Sequence, residues 1–276
     1  MTTDTSTATV NLRTDDHRRD NAGMTYVYAV LSRRAGGISV GINLNPNNAC
    51  NWRCVYCQVP DLKRGGPPAI DLAQLTAELD SLLDRLADQT IIDVAFSGNG
   101  EPTMAAEFPD AVARVGAVLA GRKFSAPPAL RLITNGSQLG KPATRQGISL
   151  LGKLGGEVWF KVDAAGGDAM RRINGVALQP ETVLKRLVIC GGLCSTWLQT
   201  CLFAREGVPP AEQTLADYLA LLVKARDSVR GVHLYGLARE SCQPEAIHLS
   251  RLPACWLEAF ALRVEAATGL PVRVSP

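Results

Sequence analysis

The reading of this chain turns on Ile38-Ser39-Val40-Gly41-Ile42-Asn43-Leu44-Asn45-Pro46-Asn47-Asn48-Ala49-Cys50-Asn51-Trp52-Arg53-Cys54-Val55-Tyr56-Cys57. It opens with a β-type run, Ile38 to Leu44, breaks at Asn45-Pro46, and then places three thiols at C-x3-C-x2-C spacing on one short loop. Downstream, further short β-type runs follow at Ile91 to Ser97, Leu130 to Thr134, Val158 to Val162, Thr196 to Phe203 and Val232 to Leu237. Segments of helical period lie between them. Leu72, Leu75, Leu79, Leu82, Leu83 and Leu86 share one helical face, with Asp71 and Gln74 at the cap and third helical positions. Phe108, Ala111, Val112, Val115, Val118 and Leu119 repeat the spacing, as do Leu215, Tyr218, Leu219 and Leu222. Such alternation predicts an α/β fold of parallel strands with right-handed crossovers, in an open sheet or a barrel.

In those architectures chemistry gathers where strands end, because the following loops vary while the strands hold them rigidly. The informative residues here stand just after the β runs. The cysteines follow the first, Gly98-Asn99-Gly100-Glu101-Pro102 the second and Thr134-Asn135-Gly136 the third, while Lys161-Val162-Asp163 closes the fourth.

The chain has 276 residues, 46% of them hydrophobic, enough for one large core. We expect a polar leader over residues 1–25, a catalytic core over 26–240, and an extension over 241–276 with an amphipathic helix through Trp256, Phe260 and Val264. Twenty-nine basic against 26 acidic residues leave a net charge of +3, without the strong basic footprint of a dedicated nucleic-acid binder. No apolar run reaches the roughly 18–20 residues that span a bilayer, and Met1 to Asp20 lacks the apolar stretch of a secretory signal, so a cytoplasmic protein without membrane contact is expected. In that compartment thiols stay reduced, and clustered cysteines serve metals or chemistry rather than disulfides.

Three soft thiolates suit zinc or iron-sulfur binding. A structural zinc site completes a tetrahedron with a fourth Cys or His, and within thirty positions of the motif the sequence offers neither, His17 in the polar leader lying just beyond. Three ligands leave one coordination position open to a small molecule. On these residues the chain resembles the radical S-adenosylmethionine (radical SAM) superfamily. There C-x3-C-x2-C follows the first strand and carries an aromatic before the last cysteine, as Tyr56 does here. A Gly-Gly-Glu-Pro type segment follows the second strand. Gly98, Asn99, Gly100 and Glu101 occupy that place, with Gly-Asn-Gly for the usual Gly-Gly.

The resemblance implies a partial (β/α)6 barrel with a [4Fe-4S] cluster on Cys50, Cys54 and Cys57. It also implies S-adenosylmethionine held by Tyr56, Gly98, Asn99, Gly100, Glu101 and Asn135. By the same resemblance, an electron from a donor such as flavodoxin or ferredoxin cleaves the sulfonium to a 5'-deoxyadenosyl radical that abstracts hydrogen from substrate. The nearest flavour is the wyosine-forming tRNA enzymes, on Asn43-Leu44-Asn45-Pro46, Phe160 to Ala165 and Arg171 to Asn174. Those enzymes carry a second cluster on upstream cysteines, and no cysteine precedes Cys50 here.

The substrate stays open between RNA and a protein or peptide, as in the radical-activating enzymes. Outside enzymology the rival is a zinc-binding scaffold, which gives no reason for the Gly-Asn-Gly-Glu-Pro loop. Lys161 and Asp163 are candidate catalytic residues, Lys161 as a Schiff-base former or carboxylate clamp, or else simply as Asp163's ion partner. Arg172 and Arg239 are further candidate contacts, each equally readable as a surface charge. Cys190, Cys194 and Cys201 could carry an auxiliary cluster, but in apolar surroundings they read as small core hydrophobes. Arg13, Arg18, Arg19, Arg33 and Arg34 read as a solvated polar face rather than an RNA contact.

Overall fold

The protein is described by a computed structural model covering residues 23–32 and 35–276. His17, Arg13, Arg18, Arg19, Arg33, Arg34 and most of the expected leader lie outside the described residues. The strands of the main sheet are β1 (Val27–Ser32), β2 (Gly37–Ile42), β3 (Ile91–Phe96), β4 (Ala129–Thr134), β5 (Glu157–Lys161), β6 (Ser195–Cys201), β7 (Gly231–Tyr235) and β8 (Val272–Ser275). They lie side by side in chain order. β1 pairs antiparallel with β2, and every later pairing is parallel. The sheet curls into a half-barrel, one of the two arrangements that the alternation allowed and the one that the resemblance implied.

The expected helices form as α1 (Leu72–Arg85), α2 (Phe108–Ala120), α6 (Glu212–Ala225) and α7 (Ala254–Thr268). Asp71 caps α1 by accepting from the Ala73 and Gln74 amides, at 2.9 and 3.0 Å. Gln74 does not close the capping box. Its amide turns to Thr25 and Glu78, and Glu78 in turn takes the Thr25 and Tyr26 amides at the entry to β1. Elements that patterning missed are β1, β8, α3 (Pro142–Lys153), α4 (Gly167–Asn174) and α5 (Pro180–Leu193). α4 is short and charged, α5 ends in Gly191-Gly192, and β8 has four residues, so none carries a long periodic signal.

The two faces of the sheet differ in chemistry. Val40, Ile42, Val94, Phe96, Leu132, Val158, Phe160, Leu198, Val232 and Leu234 are fully buried in the core that the helices cover. Their alternate neighbours are Ser39, Asp93, Arg131, Lys161, Gln199 and His233. Alternation with period two thus yields one apolar face and one polar, concave face. On that face the Arg131 guanidinium pairs with Asp93 and, at 2.6 Å, with Glu157, and lies 4.7 Å from the Trp159 ring centre. His233 sits between the rings of Trp159 and Trp197, at 4.5 and 4.9 Å. Burying charges in this way stabilises a fold less than apolar packing would. The cohesion comes from the outer face.

Leu132→Ala should therefore cost about 2–5 kcal/mol by chemical denaturation, whereas Leu262→Ala at an exposed site of α7 should stay within about 0.5 kcal/mol.

Candidate active site at the carboxyl ends of the strands

The polar face opens into a cavity of about 330 Å³, walled by the ends of β2 to β7 and the loops that follow them. Cys50, Cys54, Tyr56, Cys57, Gly98, Asn99, Gly100, Glu101, Asn135 and Lys161 all line it. Tertiary structure thus brings together residues spread over more than a hundred positions of chain.

The cysteine loop is pinned from three sides. The Arg53 amide donates to the Asn174 carbonyl at 3.1 Å and the Val55 amide to Ile173 at 2.8 Å, which fastens the loop to the end of α4. Arg53 makes a bidentate pair with Glu245 at 2.9 and 3.0 Å. From the loop after β7, the Ser241 hydroxyl donates to the Val55 and Cys57 carbonyls, and the Cys242 amide donates to Cys57 at 2.8 Å. Residues 241–245, assigned to the extension on sequence, therefore hold the motif in place. The Cys242 thiol is turned to the Gln58 carbonyl, 3.3 Å away.

Burial pushes the Cys50 thiol up to about 11 and the Cys54 thiol to about 12. Such thiols stay protonated near neutral pH unless a cation takes them as thiolates. Two N–H groups already face the sulfurs: the Trp52 amide lies 3.4 Å from Cys50 Sγ, and Asn174 Nδ2 lies 3.3 Å from Cys54 Sγ. Among the described residues no three Cys, His, Asp or Glu side chains form a compact group for a single metal ion. Three thiols with N–H donors facing two of the sulfurs suit a soft, anionic centre by their chemistry.

The glycine loop owes its shape to asparagines whose role the sequence did not reveal. Asn43 Oδ1 accepts from the Asn45 and Asn99 amides at 3.0 and 3.1 Å, and Asn99 Nδ2 reaches Asn48 Oδ1 at 2.6 Å. A Cβ on Gly100 would stand 2.0 Å from the Ala49 carbonyl oxygen, so only glycine lets the two loops approach so closely. The Glu101 carboxylate is buried and saturated by protein donors. The amides of Thr103 and Asn135 reach it at 3.2 and 2.7 Å, and the hydroxyls of Thr103 and Thr134 complete the set. Burial still raises its pKa, against those four donors. Glu101 locks the ends of β3 and β4 together, leaving the backbone of Gly98 to Gly100 on the cavity wall.

Asp163 stands behind the wall. Its carboxylate accepts from the Tyr56 hydroxyl, from Asn174 Nδ2 at 2.6 Å and from the Cys201 amide at 2.9 Å. Lys161 faces the cavity, its Nζ 3.1 Å from the Tyr235 hydroxyl, 3.9 Å from Asp163 and 4.9 Å from the Tyr56 ring centre. Burial disfavours its charged form, but Asp163, Tyr235, Cys54 and Cys201 together outweigh that and hold Lys161 above the ordinary lysine range. Arg239 donates to Gln58 at 3.1 Å at the rim, while Arg172 is exposed on α4. Cys190 and Cys194 are buried at the opposite end of β6 from Cys201, a separation of about 20 Å at roughly 3.3 Å per strand residue, so the three do not converge.

Comparison with known proteins agrees with this geometry. Residues 44–193, more than half of the chain, match the family model described as the radical SAM superfamily. A UPF0026 protein of Synechocystis sp. is 28% identical over 56% of this chain and 54% of its own length, and one of Helicobacter pylori is 30% identical over 52% and 44%. The chain thus spans about half the length of these curated relatives. Among solved structures, a radical SAM methyltransferase from Sphaerobacter thermophilus superposes with a TM-score of 0.58 at 15% identity, covering 86% of this chain and 65% of that protein. SuiB of Streptococcus suis, solved bound to S-adenosylmethionine, gives 0.54 at 10% identity, covering 85% and 45%. At such identities the likeness is one of fold. The family match, together with the cysteine loop and the glycine loop on one half-barrel mouth, shows that this chain belongs to the radical SAM superfamily.

Proposed function

We propose that the protein is a radical SAM enzyme whose cysteine loop holds a [4Fe-4S] cluster on Cys50, Cys54 and Cys57, and whose cavity holds S-adenosylmethionine beside its substrate. The observation that carries this reading is the convergence of three thiols, the glycine-loop backbone and Lys161 on one cavity. Bound there, cluster and S-adenosylmethionine supply a 5'-deoxyadenosyl radical for hydrogen abstraction, on an electron from a carrier such as flavodoxin or ferredoxin.

The chain itself binds, orients and excludes water. Carbonyls of Gly98 to Gly100 accept from the ammonium of the methionine moiety, and their approach depends on the missing Cβ at Gly100. Asn135, held by Asn51 at 3.0 Å and by the Ser137 amide at 2.9 Å, lines the cavity and would meet the carboxylate or ribose of a bound cofactor. Tyr56, oriented by Asp163, closes the wall between cluster loop and cavity, with its ring against Phe203 at 5.7 Å. Asn174 steadies Cys54 while bonded to Asp163, which couples the ligand loop to the sheet. Lys161 offers a fixed positive charge to an anionic group of substrate or cofactor.

A zinc scaffold gives no role to the Gly98-to-Glu101 loop that lines the same cavity as the cysteines. Substrates of the RNA and peptide classes share this chemistry and differ in what enters the mouth.

Protein purified and reconstituted without oxygen should hold about four irons with matching sulfide, as a cubane requires. It should give a reduced-cluster paramagnetic signal that changes on adding S-adenosylmethionine, and release 5'-deoxyadenosine, with both lost in Cys54→Ala. Stoichiometric zinc without such a signal would overturn the reading. Gly100→Ala should weaken S-adenosylmethionine binding by at least tenfold in equilibrium dialysis, about 1.4 kcal/mol, while Gly140→Ala, whose Cβ meets nothing within 4 Å, should leave it unchanged.

A further inference from the structure

At the floor of the cavity, below the carboxyl ends of the strands, Gln199 is fully buried on β6, and neither Oε1 nor Nε2 has a hydrogen-bond partner. It lines the cavity beside Lys161, its register partner on β5. Across the concave face stands Asp93, buried and also lining the cavity. Its Oδ2 is paired with Arg131, but its Oδ1 has no partner. A carboxamide buried with nothing to bond destabilises the fold through each unsatisfied group. Folded chains retain such groups where they serve something that binds.

A glutamine amide presents one donor and one acceptor side by side. Its complement is a group that does the same in reverse, with a further N–H available to Asp93 Oδ1. We infer that this floor is the substrate subsite, and that it binds an aliphatic primary carboxamide. This rests on reading the cavity as the reaction chamber and names the class of substrate that enters it. Two observations favour an aliphatic amide over a nucleobase edge. Of the rings beside Lys161, that of Trp159 already has the Arg131 guanidinium and the His233 ring against it, and those of Tyr56 and Tyr235 lie 4.9 and 5.8 Å from the Lys161 ammonium, so none of the three is a free stacking platform. The mouth is lined by Val30, Leu31, Val59, Leu62 and Leu237, with Arg239 its one basic residue among those described, which suits a neutral apolar chain rather than a phosphate backbone.

The inference is tested on the purified protein by ligand-observed saturation-transfer NMR. The probes are N-acetylglycinamide, its isosteric ester N-acetylglycine methyl ester, and uridine, each against wild type and Gln199→Leu. Transfer to the amide alone, reduced at least fivefold in Gln199→Leu, is the expected result. Equal transfer to ester and amide, undiminished transfer in the variant, or transfer to uridine alone would each overturn it. Because Gln199 has no side-chain bond to lose, Gln199→Leu should melt no lower than wild type. A drop of several degrees would show a packing role instead and would also overturn the inference. Neither readout requires cluster or cofactor, so failure here leaves the radical chemistry standing, and failed reconstitution leaves amide binding intact.

Discussion

The carboxylate of Asp163 is the constraint on which the site depends. It is buried at the end of β5, and three donors from three regions of the chain meet on it: Tyr56 of the cysteine loop, Asn174 of α4 and the amide of Cys201 on β6. A buried carboxylate is tolerated only with such complete satisfaction, and removing one partner leaves a charge with nowhere to go. The same bonds decide where Cys54 stands, because Asn174 binds its sulfur and the Asp163 oxygen together. Lys161 sits on the other side with its charge balanced by that carboxylate. Cysteine loop, helix, strand and candidate catalytic lysine are one connected polar unit.

Glu101 has the corresponding role at the ends of β3 and β4. Two of its four donors, the Thr134 hydroxyl and the Asn135 amide, tie the loop after β3 to the end of β4, and the other two come from Thr103 of the same loop. In both cases the carboxylate oxygens are spent on the scaffold, even though Glu101 borders the cavity, and the groups next to them are left to meet a ligand. This division has a physical logic. A carboxylate turned toward the chamber would have to trade its partners each time a ligand arrived, whereas a saturated one keeps the wall rigid through binding and release.

The half-barrel accepts an unfavourable interior to make this possible. Arg131, Asp93, Glu157, Lys161 and Gln199 occupy a face that apolar side chains would stabilise better, while the opposite face carries the packed core. A polar inner face under an apolar shell is what a chamber for a polar ligand requires, and its orphaned atoms are found at its floor.

Much of this was legible in the residues themselves. The period of two in Val40 to Ile42 or Val158 to Phe160 and the period of 3.6 in Leu72 to Leu86 are local patterns, so the parallel α/β architecture followed from them. The spacing of Cys50, Cys54 and Cys57 and the segment Gly98 to Glu101 are equally local, and they pointed to the superfamily. Local pattern could not reach bonds between residues far apart in the chain. That Asn43 supports Asn99, that Asn174 serves Cys54, that Ser241 and Glu245 clamp the cysteine loop, and that Gln199 is left unpaired all depend on which strand ends the curled sheet makes neighbours. Side-chain partnership over 50 to 190 positions is set by the closing of the sheet, and a one-dimensional period carries no record of it.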